Sequence, residues 1–568
     1  VLSGQQLDPK WEDLLAKGCF EFLGRARRTR PQIVEHEPNS SFIQFFCETY
    51  PSKPLPTEFL WAKGDVAAEK RALTKYCKLQ PIFEHEALCF AKHMLFREFY
   101  PVCAGVGIMS QDAAWLECDH SSSPGYPWSF LRTSKSDIWK VPKFQESMAA
   151  YFDELGTGEA WTPIWTSSIK TELRPTEKVL AERLRGFVAS PIELTLAFIR
   201  LFGEFNSRLY AAAKNGRTWV KVGMSKYYRG WDELVKLVAR KGPWKGQATD
   251  MSEMDSSLNN ILSDILYDFR KECICRGDKE IAAKIDEVKF HVQHSVIITT
   301  DGHLLQKCTG NPSGSGNTSI DNSLALFLLL AYGFAVLLWP KYDLTHNAFG
   351  DLFMNSVVAF MYGDDDTAFF SPEISSLCNM QLLKPVFAKV FFFMTFENDD
   401  ESLLPMQRLS FLSNGFWWCE RYSVWVPRPG SAKLLASLLF GSKCTDVRWS
   451  ILRAYAILIE GYWNDEVREV TSAYIDYLFR KYNEHFVDGE VYCGITWQSI
   501  KSVFRTHSQI ETLYVGKLEG GVDTLNTVRH STECLRRILE VVNDDSFSDG
   551  QISSSKSKTR IEAKGKSC

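Results

Sequence analysis

Apolar residues fall along the chain in two rhythms. Short runs bounded by turn residues, at Leu184 to Val188, Gly246 to Asp250, Val357 to Tyr362, Thr367 to Phe370 and Phe416 to Val426, predict strands. From Trp449 to about Phe486 the period changes, and Ile451, Leu452, Tyr455, Leu458, Ile459 and Tyr462 recur at steps of three and four, which predicts helix. Leu324 to Trp339 is apolar throughout and closed by Pro340. It is shorter than the roughly 20 residues a bilayer core requires, and it follows a polar, glycine-rich stretch, so a buried core helix is expected. Asp544 to Cys568 is rich in serine, lysine and aspartate with almost no large apolar side chain, which predicts a disordered tail. The mixture predicts an α+β chain with a helical C-terminal part.

Composition narrows the classes. The chain has 568 residues, 45% hydrophobic and 24% charged, which excludes a largely disordered or collagen-like chain. A formal net charge of −4 means that any polyanionic partner must be held by segregated basic patches. Fifteen cysteines, scattered from Cys19 to Cys568 without paired CxxC spacing, argue against a disulfide framework and a zinc ribbon. Reduced thiols in a cytosolic compartment are expected, and the lone C-x-C of Cys273 and Cys275 reads as incidental. Asp8, Glu12, Asp13 and Glu21 interrupt the first thirty residues, so no secretory signal is expected there.

The chemistry concentrates in three places. Val357 to Phe370 reads VVAFMYGDDDTAFF, two apolar runs around an acidic turn, which predicts a hairpin with Asp364 and Asp365 at its tip. Carboxylates so crowded repel one another unless a cation neutralises them. A second pair lies in GQATDMSEMDSSL, where Asp250 ends a predicted strand and Asp255 follows five residues later. One aspartate from each segment could grip two magnesium ions; two solvated acids is the plain alternative. Between the segments lies TGNPSGSGNTSIDNS, a flexible turn in which Ser313, Thr318 and Asn322 carry groups able to read a sugar. Thr318 and Asn322 would share one helix face. The same loop can equally cap the apolar helix that follows.

The ordered set Asp250-x4-Asp255, Ser313-Gly314-x3-Thr318-x3-Asn322 and Tyr362-Gly363-Asp364-Asp365 resembles the palm motifs of RNA-dependent RNA polymerases of positive-strand RNA viruses. Lys170-Thr-Glu172-Leu-Arg174, with Lys178, Arg183 and Arg185, looks like the basic fingers motif of picornavirus-like polymerases. Pro175 argues for an extended loop carrying Lys170, Arg174 and Lys178, with Arg183 and Arg185 on one face of a strand. Ser122-Ser123-Pro124-Gly125-Tyr126-Pro127 resembles the family's template-binding motif, and Leu409 to Trp418 looks like its primer-gripping hairpin. Gly310-Asn311-Pro312-Ser313-Gly314 and Asp321-Asn322 look more like astrovirus or potyvirus polymerases. One departure stands out: after Thr395 the chain reads Phe396-Glu397-Asn398-Asp399-Asp400-Glu401, with no lysine where many relatives have one.

The resemblance implies a closed right hand: fingers at 1–189 and 260–302, palm at 190–259 and 303–428, a helical thumb at 429–543, then the tail. It implies magnesium, two ions with manganese able to substitute, held by Asp250, Asp364 and Asp365. Lys170, Arg174, Lys178, Arg183, Arg185, Asp255, Ser313, Thr318 and Asn322 would bind the ribonucleoside triphosphate. Ser122, Ser123, Gly125, Tyr126, Pro127 and Gly314 would face the RNA template. A protein primer and other viral replication proteins are candidate partners, in the host-cell cytoplasm at membrane-associated replication complexes. A reverse transcriptase-like palm and a catalytically silent RNA-binding scaffold are the competing readings.

Overall fold

The computed structural model describes residues 11–516 apart from 29–36, 63–65, 132–133, 142, 343, 400, 442–445, 493 and 504–506. The expected tail therefore lies outside the described residues.

The expected apolar helix runs Thr318–Leu338 and is buried on every side from Ile320 to Ala335. A helix that is hydrophobic all round belongs in a core. Thr318–Lys341 is long and apolar enough to cross a membrane by composition alone, yet 78% of its apolar window is buried inside the fold. It packs against the helices His85–Cys103 and Met380–Lys389 and the strand Val357–Tyr362.

That strand belongs to a four-stranded antiparallel sheet, in the order Phe393–Phe396, Lys245–Ser252, Asp365–Phe370, Val357–Tyr362. Side chains alternate across a strand, and here both faces are covered. Val357, Ala359 and Met361 enter the main core with the apolar helix, while Val358 and Phe360 join Trp231, Phe369, Phe411 and Phe416 in a second cluster. A five-stranded mixed sheet, Phe20–Arg25, His303–Lys307, Val296–Ile298, Ile164–Ile169 and Gly186–Ala189, lies elsewhere in the fold.

Three expectations change. The run Phe416 to Val426 is two strands, Asn414–Cys419 and Val424–Pro429, because the polar residues Glu420 to Ser423 reverse the chain, with Ser423 at φ 49°. The periodic region after Trp449 is two helices, Val447–Glu460 and Asp465–Lys481, separated at Gly461 and restarted by the Asn464 side chain, which accepts from Val467 N–H at 3.3 Å. The strand expected from Leu184 begins only at Gly186, so Arg183 and Arg185 precede it. The helices Ser40–Thr49 and Ser431–Leu439 join Val447–Glu460, Asp465–Lys481 and the later helices Trp497–Val503 and His507–Val515 in a separate apolar core. The cysteines in the described residues are free thiols, with Cys273 and Cys275 buried.

Candidate active site

The hairpin of Val357–Tyr362 and Asp365–Phe370 turns at Gly363-Asp364. Gly363 sits at φ +67°, a conformation that favours a residue without Cβ. Its N–H donates to Ser323 Oγ at 2.8 Å, tying the turn to the apolar helix, and Met251 N–H donates to Asp364 O at 2.9 Å, tying it to the central strand. Asp250 stands opposite Asp365 in the ladder. The strand continues past Asp250 to Ser252, beyond the expected end.

Asp250 and Asp364 are both open to a cavity of about 630 Å3. Enough protein surrounds Asp250 that partial burial raises its proton affinity; the charge of Asp364 adds to this, and Arg185 and Lys178 oppose it. Asp365 faces the same side of the sheet. Its Oδ2 accepts from Leu412 N–H at 2.8 Å, and burial, with Glu397 nearby, pushes its carboxyl up to about 8. Asp366 points to the other face, where it accepts from the Thr249 hydroxyl and burial holds it at about 7. Among the described residues no three acidic, histidine or cysteine side chains form a ready metal cluster. A cation beside Asp250 and Asp364 would therefore take much of its shell from water and phosphate oxygens, which suits magnesium. The like charges facing one cavity fit such an ion.

Asp255 lies on the short helix Met254–Ser257, entered through Glu253 at φ 56°. Asn322 Nδ2 donates to Asp255 Oδ1 at 2.6 Å, while burial raises the Asp255 carboxyl. Ser313 Oγ accepts from Val188 N–H at 3.2 Å, and Gly314 N–H donates to Val188 O at 2.9 Å. A Cβ on Gly314 would meet Val188 O at 2.6 Å and Ala189 Cα at 2.8 Å, so only glycine fits this seam. Thr318 Oγ1 donates to the carbonyls of Pro312 and Ser315, both at 3.0 Å, so its proton folds the loop.

The wall opposite is basic. Lys170, Arg174, Lys178, Arg183 and Arg185 line the cavity with Asp250, Asp255, Ser313 and Asp364. Arg174 and Arg185 share Glu172, each at 3.8 Å. Lys178 lies on the five-residue helix Thr176–Leu180 instead of an extended loop, because Pro175 precedes the helix, where a proline is tolerated. Arg183 is not on a strand face; its N–H donates to Lys178 O at 2.8 Å, closing the turn after that helix.

A family model described as viral RNA-dependent RNA polymerase matches residues 91–478, more than half of the chain. The chain belongs to that family. It is 28% identical over 327 residues to the genome polyprotein of Soybean mosaic virus (strain G2), covering 55% of this chain and 10% of that one. It is 34% identical over 172 residues to the genome polyprotein of Papaya ringspot virus (strain W), covering 30% and 24%. The chain thus spans about a tenth of the length of the first polyproteins it matches. Among solved structures it is similar to the Sicinivirus 3Dpol RNA dependent RNA polymerase, with TM-score 0.64 and 15% identity over 85% of this chain and 98% of that one. The fold is the α+β right hand, and of the astrovirus-like and potyvirus-like resemblances the polyprotein relatives support the potyvirus-like one. The family uses divalent metal ions, RNA and nucleoside triphosphates, and the viral relatives imply a host-cell replication setting.

Within this chain the cavity does not gather every expected residue. Thr318, Asn322, Gly314 and Asp365 are not among the residues that line it. The template motif lies against the start of the helix Ile192–Lys214: Ile192 N–H donates to Pro124 O at 2.9 Å, and Gly125 abuts Pro191, where a Cβ would meet Cα at 2.8 Å. Ser122 Oγ accepts from Lys135 Nζ at 2.7 Å, Ser123 Oγ accepts from Gly125 N–H at 3.2 Å, the Tyr126–Pro127 peptide is cis, and Tyr126 packs on Phe130. Three residues escaped the sequence reading. Arg71 and Lys75 line the same cavity from the helix Val66–Thr74 and its exit; their signal was the basic spacing of Lys70, Arg71, Lys75 and Lys78. Glu397, in the stretch after Thr395 that lacks a lysine, accepts from the Ser410 hydroxyl, and its own carboxyl is raised by burial and by Asp250.

Proposed function

We propose that this polymerase copies an RNA template by adding ribonucleotides to an RNA 3′ end, replicating and transcribing a positive-strand RNA genome. The observation that carries it is the ladder register that sets Asp250 opposite Asp365, with Asp364 in the adjoining turn and a basic wall across the cavity. Two divalent ions, magnesium with manganese able to substitute, would be held by Asp250 and Asp364 with Asp365 assisting, and would supply the Lewis acidity that activates the 3′ hydroxyl and offsets the departing pyrophosphate. Lys170, Arg174, Lys178 and Arg183 balance the triphosphate's charge, and Arg185 binds two of its oxygens at once. Asp255 accepts a hydrogen bond from the ribose 2′ hydroxyl while Asn322 orients it, and Ser313 and Thr318 shape the loop around the sugar. Ser122, Ser123, Gly125, Tyr126, Pro127 and Gly314 give shape and backbone contacts to the template. The fingers, palm and thumb boundaries, a protein primer and membrane-associated replication complexes in the host cytoplasm belong to the same proposal.

The test is magnesium-dependent ribonucleotide incorporation on an RNA template, with and without a primer, beside deoxyribonucleotides. Preference for the deoxy form, or no synthesis by the folded chain, would overturn the reading.

A further inference from the structure

Asp255 and Asn322 stand on different elements and meet through one hydrogen bond of 2.6 Å. Directly before Asn322, Asp321 Oδ1 lies 2.5 Å from Arg270 Nη2, and the two side chains are 2% and 0% exposed. Arg270 belongs to Asn260–Ile274, the helix that follows Met254–Ser257 in the chain. Its guanidinium sits among the rings of Phe202, Phe205 and Tyr267, at 5.1, 5.4 and 5.3 Å from their centroids. Among the described residues neither the three guanidinium nitrogens of Arg270 nor Asp321 Oδ1 makes a well-directed hydrogen bond, so the pair is held as an ion contact.

Such a pair is a poor device for stability. Removing two charges from water costs much of what their attraction returns, and well-packed apolar side chains often do as well. An incompletely bonded guanidinium makes that balance worse. What the pair does is geometric: it bolts the first turn of the helix Thr318–Leu338 to the helix that continues from Asp255. The next turn of the same helix carries Ser323, which accepts from Gly363 N–H in the hairpin turn.

We propose that Arg270 and Asp321 are positioning residues for ribose selection, holding Asn322 at hydrogen-bond distance from Asp255. This rests on the ribose-reading role proposed above for those two residues. A loosened first turn would let Asn322 withdraw, and the Asp255 carboxylate would lose its fixed orientation toward the sugar.

The test compares kcat/KM for ribonucleotides and 2′-deoxyribonucleotides on one RNA template, in the full chain. Three variants enter: Asn322→Ala, Asp321→Asn, and the double variant Arg270→Met with Asp321→Leu, which leaves no buried charge unpaired and so protects against a simple folding failure. Loss of one oriented hydrogen bond should lower the ribo-to-deoxy ratio about tenfold in Asn322→Ala. Asp321→Asn and the double variant should lower it in the same direction, mainly through a higher KM for ribonucleotides, with the double variant's thermal midpoint at or above the parent's. A double variant that folds and keeps the parent ratio overturns the positioning role while leaving the ribose assignment intact. An unchanged ratio in Asn322→Ala overturns the ribose assignment and this inference together.

Discussion

Asp250 stands on a hydrogen-bonded sheet and Asp364 in the turn that joins two of its strands, whereas Arg174, Arg183 and Arg185, lining the same cavity, stand on a three-residue strand and the turns around a five-residue helix. The acidic floor is fixed from several directions: the central strand is paired on both sides, and the turn is bonded to it and to the apolar helix. The basic wall is held by less. Its Arg174 and Arg185 contacts to Glu172 are 3.8 Å long, and the Arg185 side chain is 49% exposed, a setting in which ion pairs contribute little. Reacting groups tolerate small misplacement poorly, so under the proposed function rigidity belongs on the floor, and a wall that would meet a flexible triphosphate can adapt.

The largest test of this contrast removes one carboxylate. Asp364→Ala should cut nucleotide incorporation by about a thousandfold or more, as loss of a group that stabilises transition-state charge does, while RNA retention in a filter-binding assay stays within about twofold, the charge removed being a small part of the electrostatic footprint. Unchanged synthesis would remove Asp364 from the site.

A buried acid away from the cavity sharpens the comparison. Glu193 accepts from Trp128 Nε1 at 2.7 Å and Trp161 Nε1 at 3.3 Å, and burial raises its carboxyl from 4.5 to about 7. The folded chain therefore binds this proton more tightly than the unfolded chain. The stability from Glu193 is full below about pH 4.5 and is lost as pH rises through about 7, on the order of 3 kcal/mol in all. Glu193→Gln should flatten that part of the dependence of urea midpoints between pH 5 and 8. An unaltered slope would show that the indole N–H groups already offset the charge.

Next comes the seam between floor and wall. Gly314→Ala drives a Cβ into Val188 O and Ala189 Cα, so about 2 kcal/mol of stability should be lost. Incorporation should fall with it, because the strand Gly186–Ala189 directly continues from Arg185. A thermal midpoint equal to the parent's would mean that the seam can open at no cost.

The floor was legible in the sequence because its carboxylates stand in a short acidic turn between two continuous apolar runs, from Val357 to Tyr362 and from Thr367 to Phe370. The apolar helix was legible because Leu324 to Trp339 is apolar throughout and too long for a strand. The wall was less so. Arg183 and Arg185 read as strand because alternation around Leu184 fits one, but the local turn closed by Arg183 N–H and Lys178 O takes precedence. The split of Phe416 to Val426 was hidden because aromatic residues flank a turn that has no glycine or proline. Arg71 and Lys75 offered only a basic spacing that a solvated helix face also shows, and Glu397 meets Asp250 through the pairing of strands distant in sequence.

Arg185→Ala is the smallest of these tests and probes the wall itself. Arg185 lowers the proton affinity of Asp250 through its charge, lines the cavity and contacts Glu172 only at long range. If it serves the triphosphate, its loss should raise KM for nucleotides about tenfold, the worth of one charge-assisted contact to phosphate, and change kcat less, since Asp250 and Asp364 stay in place. The thermal midpoint should stay within a degree or so, because an exposed pair adds under about 1 kcal/mol. The KM effect should shrink as ionic strength rises, since added salt screens an exposed guanidinium on its own. A fall in kcat at unchanged KM would instead make Arg185 part of the rigid floor, and the division between a fixed acidic side and an adaptable basic side would then fail.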